Sequence, residues 1–254
     1  MTTPVRETQR YVQNAREDMH VHSTFSDGQD SVADNLAAAV ACGLTRIACV
    51  DHVRRATNWA PTFVATVRAE AERVREHGLS VVVGLEAKLL DEHGTLDLPE
   101  DRGGADLVYL ADHQFPLGDG YFSPNVIRTR LAEGSLSKRA AVDALVRSTC
   151  GALARYNNVV VAHLFSVLPK VGLDESDVTD DQIAEIAGIA QSRGALVEVS
   201  EKWLCPAPRV LRALHHARVK LVLSTDSHAK GDIGRYSQYV HAAIQAALSA
   251  DVAA

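Results

Sequence analysis

Seven short apolar runs alternate with Ala-rich amphipathic stretches along this chain, and that alternation constrains its fold more than any other feature. The runs are Asp18–His22, Arg46–Val50, Ser80–Gly84, Asp106–Leu110, Val159–His163, Ala195–Val199 and Lys220–Ser224. Each has a common strand length. Between them, helical patterns cover Ser31–Ala41, Thr62–Glu76, Lys138–Arg155, Thr179–Ser192, Pro208–His216 and Ser237–Ala250. Gly43, Gly78 and Gly194 fall after a helical stretch and before a strand, where a left-handed C-terminal cap is needed. Repeated βα units imply a parallel sheet. The strands lack internal polar alternation, which favours a closed or nearly closed barrel. An open doubly wound sheet is the competing architecture, but no Gly-rich phosphate-binding turn follows any strand. Two long connections, Leu85–Gly104 and Asp112–Ser137, read as functional loops.

Composition sets the class. The 254 residues are 46% hydrophobic and 23% charged, which suits one domain spanning 1–254. Cys42, Cys49, Cys150 and Cys205 form no metal-finger spacing and read as reduced thiols of a cytoplasmic protein. The start, MTTPVRETQR, lacks an apolar leader core. No apolar run reaches the roughly 20 residues needed to cross a bilayer, so no membrane partner is expected. The net charge of −6 and the lack of a Lys/Arg-rich tract argue against a long nucleic-acid groove but leave room for a small phosphorylated substrate.

Chemistry in α/β barrels sits at the C-terminal ends of the strands. Here those ends are crowded with acids and imidazoles. The first strand carries Asp18, His20 and His22, which simple alternation places on one face, with Asp27 in the following Ser26-Asp27-Gly28 loop. The second delivers Asp51 and His52, the third Glu86, the fourth Asp112 and His113, and the fifth His163. The sixth delivers Glu198 or Glu201, and the seventh Asp226 and His228. Imidazoles mixed with carboxylates, without thiolates, suit Zn, Mn or Fe. The donors exceed one coordination sphere, so two or three divalent ions are expected, with a carboxylate as bridge. Asp18 and Asp51 adjoin the histidines and read as acceptors that orient imidazoles.

Asp18-x-His20-x-His22, Ser26-Asp27-Gly28, Asp51-His52, Gly84-x-Glu86, His113, His163 and Asp226-Ser227-His228, in this order, resemble the PHP (polymerase and histidinol phosphatase) family over about residues 18–235. The resemblance implies a distorted (β/α)7 barrel with a trinuclear site. His20, His22, Glu86 and Asp226 would hold one ion. Glu86, His113 and His163 would hold a second, with Glu86 bridging, and Asp27, His52 and His228 a third. Some members carry His where this chain has Asp27. Glu86, Asp226 and His228 are the expected catalytic groups.

Family members are phosphoesterases, including histidinol-phosphate and nucleotide phosphatases. The resemblance therefore implies hydrolysis of a small phosphate monoester by a metal-bridging hydroxide. A phosphodiesterase acting on a cyclic or nucleotide diester is the alternative within the class; a non-catalytic, regulatory metal-binding barrel is the alternative outside it. A cation should grip the remaining phosphoryl oxygens. Arg235 is the first candidate because it closes the loop after His228, with Arg54, Lys170 and Lys202 behind it.

Overall fold

A computed structural model describes residues 16–236 and 239–249. The polar start of the chain and the two ends of the last expected helix, Ser237 and Ala250, lie outside the described residues. Seven parallel strands form one sheet in the order β1 (Glu17–Val21), β2 (Arg46–His52), β3 (Ser80–Lys88), β4 (Leu107–Ala111), β7 (Val159–Ala162), β8 (Leu196–Ser200) and β9 (Lys220–Ser224). The antiparallel hairpin of β5 (Phe115–Leu117) and β6 (Gly120–Phe122) stands apart from it. The helices are α1 (Val32–Ala41), α2 (Ala60–Val74), α3 (Pro124–Ala132), α4 (Lys138–Arg155), α5 (Asp180–Arg193), α6 (Pro208–His216) and α7 (Tyr239–Ser249).

The sheet curls into a nearly closed (β/α)7 barrel. At the C-terminal rim the gap is bridged beyond the strands themselves: His22 N–H donates to Ser227 O at 2.8 Å, and Ser227 N–H to His20 O at 3.2 Å. Lower down, Leu223 N–H donates to the Glu17 side chain at 3.1 Å. The larger apolar core lies between the strands and the helices. A smaller cluster of Met19, Ala48, Val50, Tyr109, Ala111, Val160, Ala162 and Val222 fills the barrel interior. Tyr109 spans that interior and donates to Met19 O at 2.5 Å. Its ring passes so close to Gly84 that a Cβ there would lie 2.4 Å from Tyr109 Cε2.

Local chemistry explains several element ends. Ser31 caps α1, Ser137 caps α4, and Thr179 opens α5 with a reciprocal capping box to Gln182. Gly43, Gly78 and Gly194 all have positive φ, as their positions require. Three departures from the sequence reading matter. β3 runs on to Lys88, so Glu86 sits within a strand rather than in a loop. The connection after β4 holds the β5–β6 hairpin and α3. The third departure is a bulge in β1. Asp18 pairs with Ile47, yet Val21 pairs with Cys49, so three steps of β1 match two of β2. Met19 and His20 both turn inward, and Asp18 is left on the opposite face from His20. No helix among the described residues is long and apolar enough to cross a membrane.

Candidate metal centre

The inward rows of the strands converge on Glu86. Its carboxylate is buried, and five imidazoles surround it. His52 Nδ1 lies 2.6 Å from Oε2, with His20 Nε2 and His22 Nε2 at 3.5 and 3.6 Å. His163 Nε2 and His113 Nε2 lie 3.1 and 3.3 Å from Oε1. The donors come from five strands: His20 and His22 from β1 and its end, His52, His113 and His163 from the ends of β2, β4 and β7, and Glu86 from the inner face of β3. His22 Nε2 also approaches Asp226 Oδ1 at 3.1 Å. Asp27 reaches over the rim, 3.4 Å from both His52 and His228 and 3.9 Å from His22. Gly28 makes that reach possible. A Cβ there would lie 2.6 Å from the His22 backbone, so only glycine lets the loop fold back so tightly.

Three sets of donor atoms lie within 4.8 Å of one another: His20, His22 and Glu86; His52, Glu86 and His113; and His22, Asp27, His52 and His228. They overlap the three ligand sets implied by the resemblance, with His22 and His52 each shared between neighbouring groups. Buried polar atoms provide the test of fit. His20 Nε2, both ring nitrogens of His22, Glu86 Oε2 and Asp226 Oδ1 are buried without an aligned hydrogen-bond partner. Such atoms carry a desolvation cost of about 1–3 kcal/mol each, and they all face the same space. A cation coordinated there would satisfy them, so the residues present fit a metal cluster.

The acceptors that orient the rings are not the ones expected. Asp18 holds backbone and a hydroxyl: it accepts from Thr225 N and Oγ1 and from Gly234 N. The bulge explains why it misses the imidazoles. Asp51 accepts from Ser23 N and Oγ and from Ser26 Oγ, and so fixes the loop that carries Asp27. The rings are instead held by Glu198, 2.7 Å from His20 Nδ1, and by Asp112, 3.3 Å from His163 Nδ1. Each therefore leaves its Nε2 facing Glu86. Of the two sixth-strand acids, Glu198 serves the site, whereas Glu201 accepts from Tyr239 N and Val240 N at the start of α7.

Burial opposes charge on Glu86, but the imidazoles of His113, His20 and His52 hold it well below the usual carboxylate range. Asp226 is likewise held low against burial by His22, His20 and His163. Burial pushes His22 down to about 4, so this ring is neutral and its lone pair available at neutral pH. Two site residues, His163 and Asp226, have φ of 30° and 49°. A left-handed backbone costs about 1–2 kcal/mol for a non-glycine residue, here at positions that aim a ring and a carboxylate into the cluster.

The cationic candidates scatter. Arg235 does not reach the cluster: it is exposed, its backbone N–H closes a turn onto Asp232 O, and the preceding Gly234 is tied down to Asp18. Lys170 lies over the Trp203 ring at 4.2 Å. Lys202 does reach the rim, with Nζ 3.1 Å from His228 Nδ1 and 3.3 Å from Asp226 Oδ2. Arg54 lines a cavity of about 460 Å³ beside Glu86 and His113. Sequence reasoning missed two residues. Lys88 lines the same cavity, two residues past Glu86 on the same strand face. Trp203 donates from Nε1 to Asp226 Oδ2 at 2.5 Å. The periodicity of an extended β3 could have revealed the first; the position of Trp203 just after a strand end puts it at the rim, but nothing local signalled its bond to Asp226.

A family model described as the PHP domain matches residues 18–202. No curated protein matches the chain in sequence. Among solved structures the chain is similar to a histidinol phosphate phosphatase from Lactococcus lactis subsp. lactis Il1403, complexed with zinc, L-histidinol and phosphate. The two are 15% identical, with 92% of each chain covered and a TM-score of 0.64. It is also similar to a candidate histidinol phosphatase from Listeria monocytogenes, at 15% identity over 88% of this chain and 99% of that chain, with a TM-score of 0.65. At such identity the likeness is one of fold.

Proposed function

The chain belongs to the PHP domain family, whose members include metal-dependent phosphoesterases, and on that premise we propose that it hydrolyses a small phosphate monoester at the barrel rim. One observation carries this reading: a buried carboxylate, Glu86, faces five imidazoles, and His20 Nε2, both His22 ring nitrogens, Glu86 Oε2 and Asp226 Oδ1 are buried there without an aligned hydrogen-bond partner.

Two or three divalent ions of the Mn, Zn or Fe type suit this donor set. His20, His22, Glu86 and Asp226 would hold the first, Glu86, His113 and His163 the second, and Asp27, His52 and His228 the third. When bound, such ions supply Lewis acidity, which neutralises charge on phosphoryl oxygens and makes water nucleophilic at neutral pH. The chain's own groups do the rest. Glu86 stays ionised because imidazoles surround it. Glu198 and Asp112 fix two rings so that Nε2 is presented to the cluster. Trp203 and Lys202 hold one oxygen of Asp226, leaving the other toward His22. Lys202 and Lys88 bring positive charge to the rim, where an anionic ester would dock. Four free thiols support a cytoplasmic setting, and the whole chain is read as one domain.

The test combines two measurements on protein purified without chelator. Elemental analysis after reconstitution with Mn, Zn or Fe should find at least two ions per chain. Turnover of p-nitrophenyl phosphate should exceed that of bis-p-nitrophenyl phosphate. Fewer than two ions removes the bridged cluster, and a preference for the diester moves the reading to a phosphodiesterase.

A further inference from the structure

The cavity of about 460 Å³ beside the cluster is lined by two cations, Arg54 and Lys88, and two aromatic rings, Phe25 and Trp59. Its size lies in the range of sites that enclose a small ligand, roughly 300–1,000 Å³. Lys88 stands on the inner row of β3, two residues beyond Glu86 and in register with Ala111. Arg54 stands two residues beyond His52. Its turn is fixed from three sides: Val53 N–H donates to Glu86 O at 2.8 Å, Arg54 N–H to Thr57 Oγ1 at 2.9 Å, and Thr57 N–H to Arg54 O at 2.9 Å. Among the described residues, no carboxylate pairs with either cation. The acids that line the cavity, Asp27 and Glu86, are turned to imidazoles instead. Two neighbouring strands therefore each place an uncompensated cation just past a residue of the cluster. Elsewhere on this chain, surface cations commonly have partners; Arg68, Arg147 and Lys230, for example, are paired.

Two aromatic rings also line the cavity, tilted by 44° to each other. Trp59 and Phe25 have ring centroids 5.6 Å apart, and both pack on the fully buried Phe63. Rings backed in this way are already in place before a ligand arrives, so little ordering cost is added on binding.

We infer that this cavity selects the alcohol portion of the substrate: a phosphate ester whose leaving group carries a planar ring, packed against Trp59 and Phe25, and a second anionic group, held by Lys88 and Arg54. The inference rests on the phosphatase reading above. It differs from a general phosphate grip, because a cation that touched the transferred phosphoryl group would serve every ester alike. A cation that touches the leaving alcohol serves only esters bearing the second charge. An arginine gives a carboxylate or phosphate a bidentate partner and a lysine a point charge, so the pair fits either anion.

The experiment compares matched esters on the metal-reconstituted enzyme. 4-Carboxyphenyl phosphate and 4-carbamoylphenyl phosphate share shape but differ in the second charge. The ratio of their kcat/KM values is measured in the parent, Lys88→Met, Lys88→Arg and Arg54→Met, and dividing one ratio by another cancels the intrinsic reactivity of each ester. Lys88→Met should lower the preference for the carboxylate at least tenfold, Arg54→Met should lower it severalfold, and Lys88→Arg should retain most of it. Trp59→Leu should reduce turnover of 4-carboxyphenyl phosphate at least fivefold more than that of 3-carboxypropyl phosphate, which carries the charge without the ring. Thermal melts confirm folding, and Arg54→Met keeps the test alive if Lys88→Met does not fold. If every variant lowers both aryl esters by one common factor, or by none, the inference is overturned while the phosphatase reading stands. If the parent hydrolyses none of the esters with any of the three metals, both fall together.

Discussion

Glu198 and His20 are 178 positions apart in the chain, yet Glu198 Oε1 and His20 Nδ1 lie 2.7 Å apart in the barrel interior, with both side chains fully buried. A carboxylate can only accept, so His20 Nδ1 carries a proton and Nε2 is the nitrogen turned toward Glu86. The other Glu198 oxygen accepts from His163 N–H at 2.9 Å, so one acid orients a ring on β1 and fixes the strand end that bears His163. Removing this kind of support typically costs 10–100-fold in metal affinity. Glu198→Gln should therefore weaken metal binding by about that range, since an amide can accept at one site only and offers an N–H to the other. Competition with a chromogenic chelator reads it directly. Unchanged affinity would mean that His20 needs no orienting partner.

Glu86→Gln should abolish turnover and leave the fold intact. The amide cannot offer two anionic oxygens to the five imidazoles that converge on this side chain. Far-ultraviolet circular dichroism should match the parent, while kcat/KM on p-nitrophenyl phosphate should fall by on the order of a hundredfold or more. Activity within about tenfold of the parent would remove Glu86 from the centre of the site.

The side chains that gather around Glu86 could be picked out because most lie on or just after an apolar run, and the runs were legible because helix caps such as Gly43, Thr179 and Gly194 separate them. What alternation could not convey was geometry that breaks its own period. The β1 bulge turns both Met19 and His20 inward and removes Asp18 from the imidazoles. The polar Glu86 and Lys88 disguise the end of β3 as loop. The three-residue strands around Pro116 and Tyr121 are too short to show a period. Arg235 looked near in sequence to His228, but a turn anchored on Asp18 carries it outward. Trp203 arrives through a turn in which Leu204 has φ of 53°, a conformation with no sequence signal in a leucine.

Glu175 gives a test of stability against pH away from the cluster. Burial raises its carboxyl from 4.5 to about 7, against the lowering effect of the Ala207 N–H. In the unfolded chain the proton is lost near the usual value. Between about pH 4.5 and 7 the folded state therefore holds a proton that the unfolded state has released, and stability falls as pH rises through that window. Glu175→Gln removes this titration. The melting temperature of the variant minus that of the parent should rise from pH 4.5 to pH 7 and then level off, measured in metal-loaded protein at constant ionic strength. A gap that is flat or shrinks across the window would mean that Glu175 is solvated well enough to ionise normally.

Trp203 should act on metal binding rather than on the chemical step. Its Nε1–H donates to Asp226 Oδ2 at 2.5 Å, and Lys202 Nζ lies 3.3 Å from the same oxygen. Both hold one side of the carboxylate, so that Oδ1 is presented toward His22, 3.1 Å away. A hydrogen bond to a charged group contributes roughly 1.5–3 kcal/mol, or about ten- to a hundredfold in an equilibrium. Trp203→Phe deletes the donor but keeps a ring beside His163, whose centroid is 5.7 Å from that of Trp203, and under Lys170. The metal concentration for half-activation should rise by about that factor, while kcat at saturating metal should recover to within severalfold of the parent. Trp203→Ala, which also loses the ring, should recover less. Half-activation unchanged in Trp203→Phe would show that Asp226 is held without the indole. A loss of kcat that no metal concentration restores would move Trp203 from holding a ligand to touching the substrate.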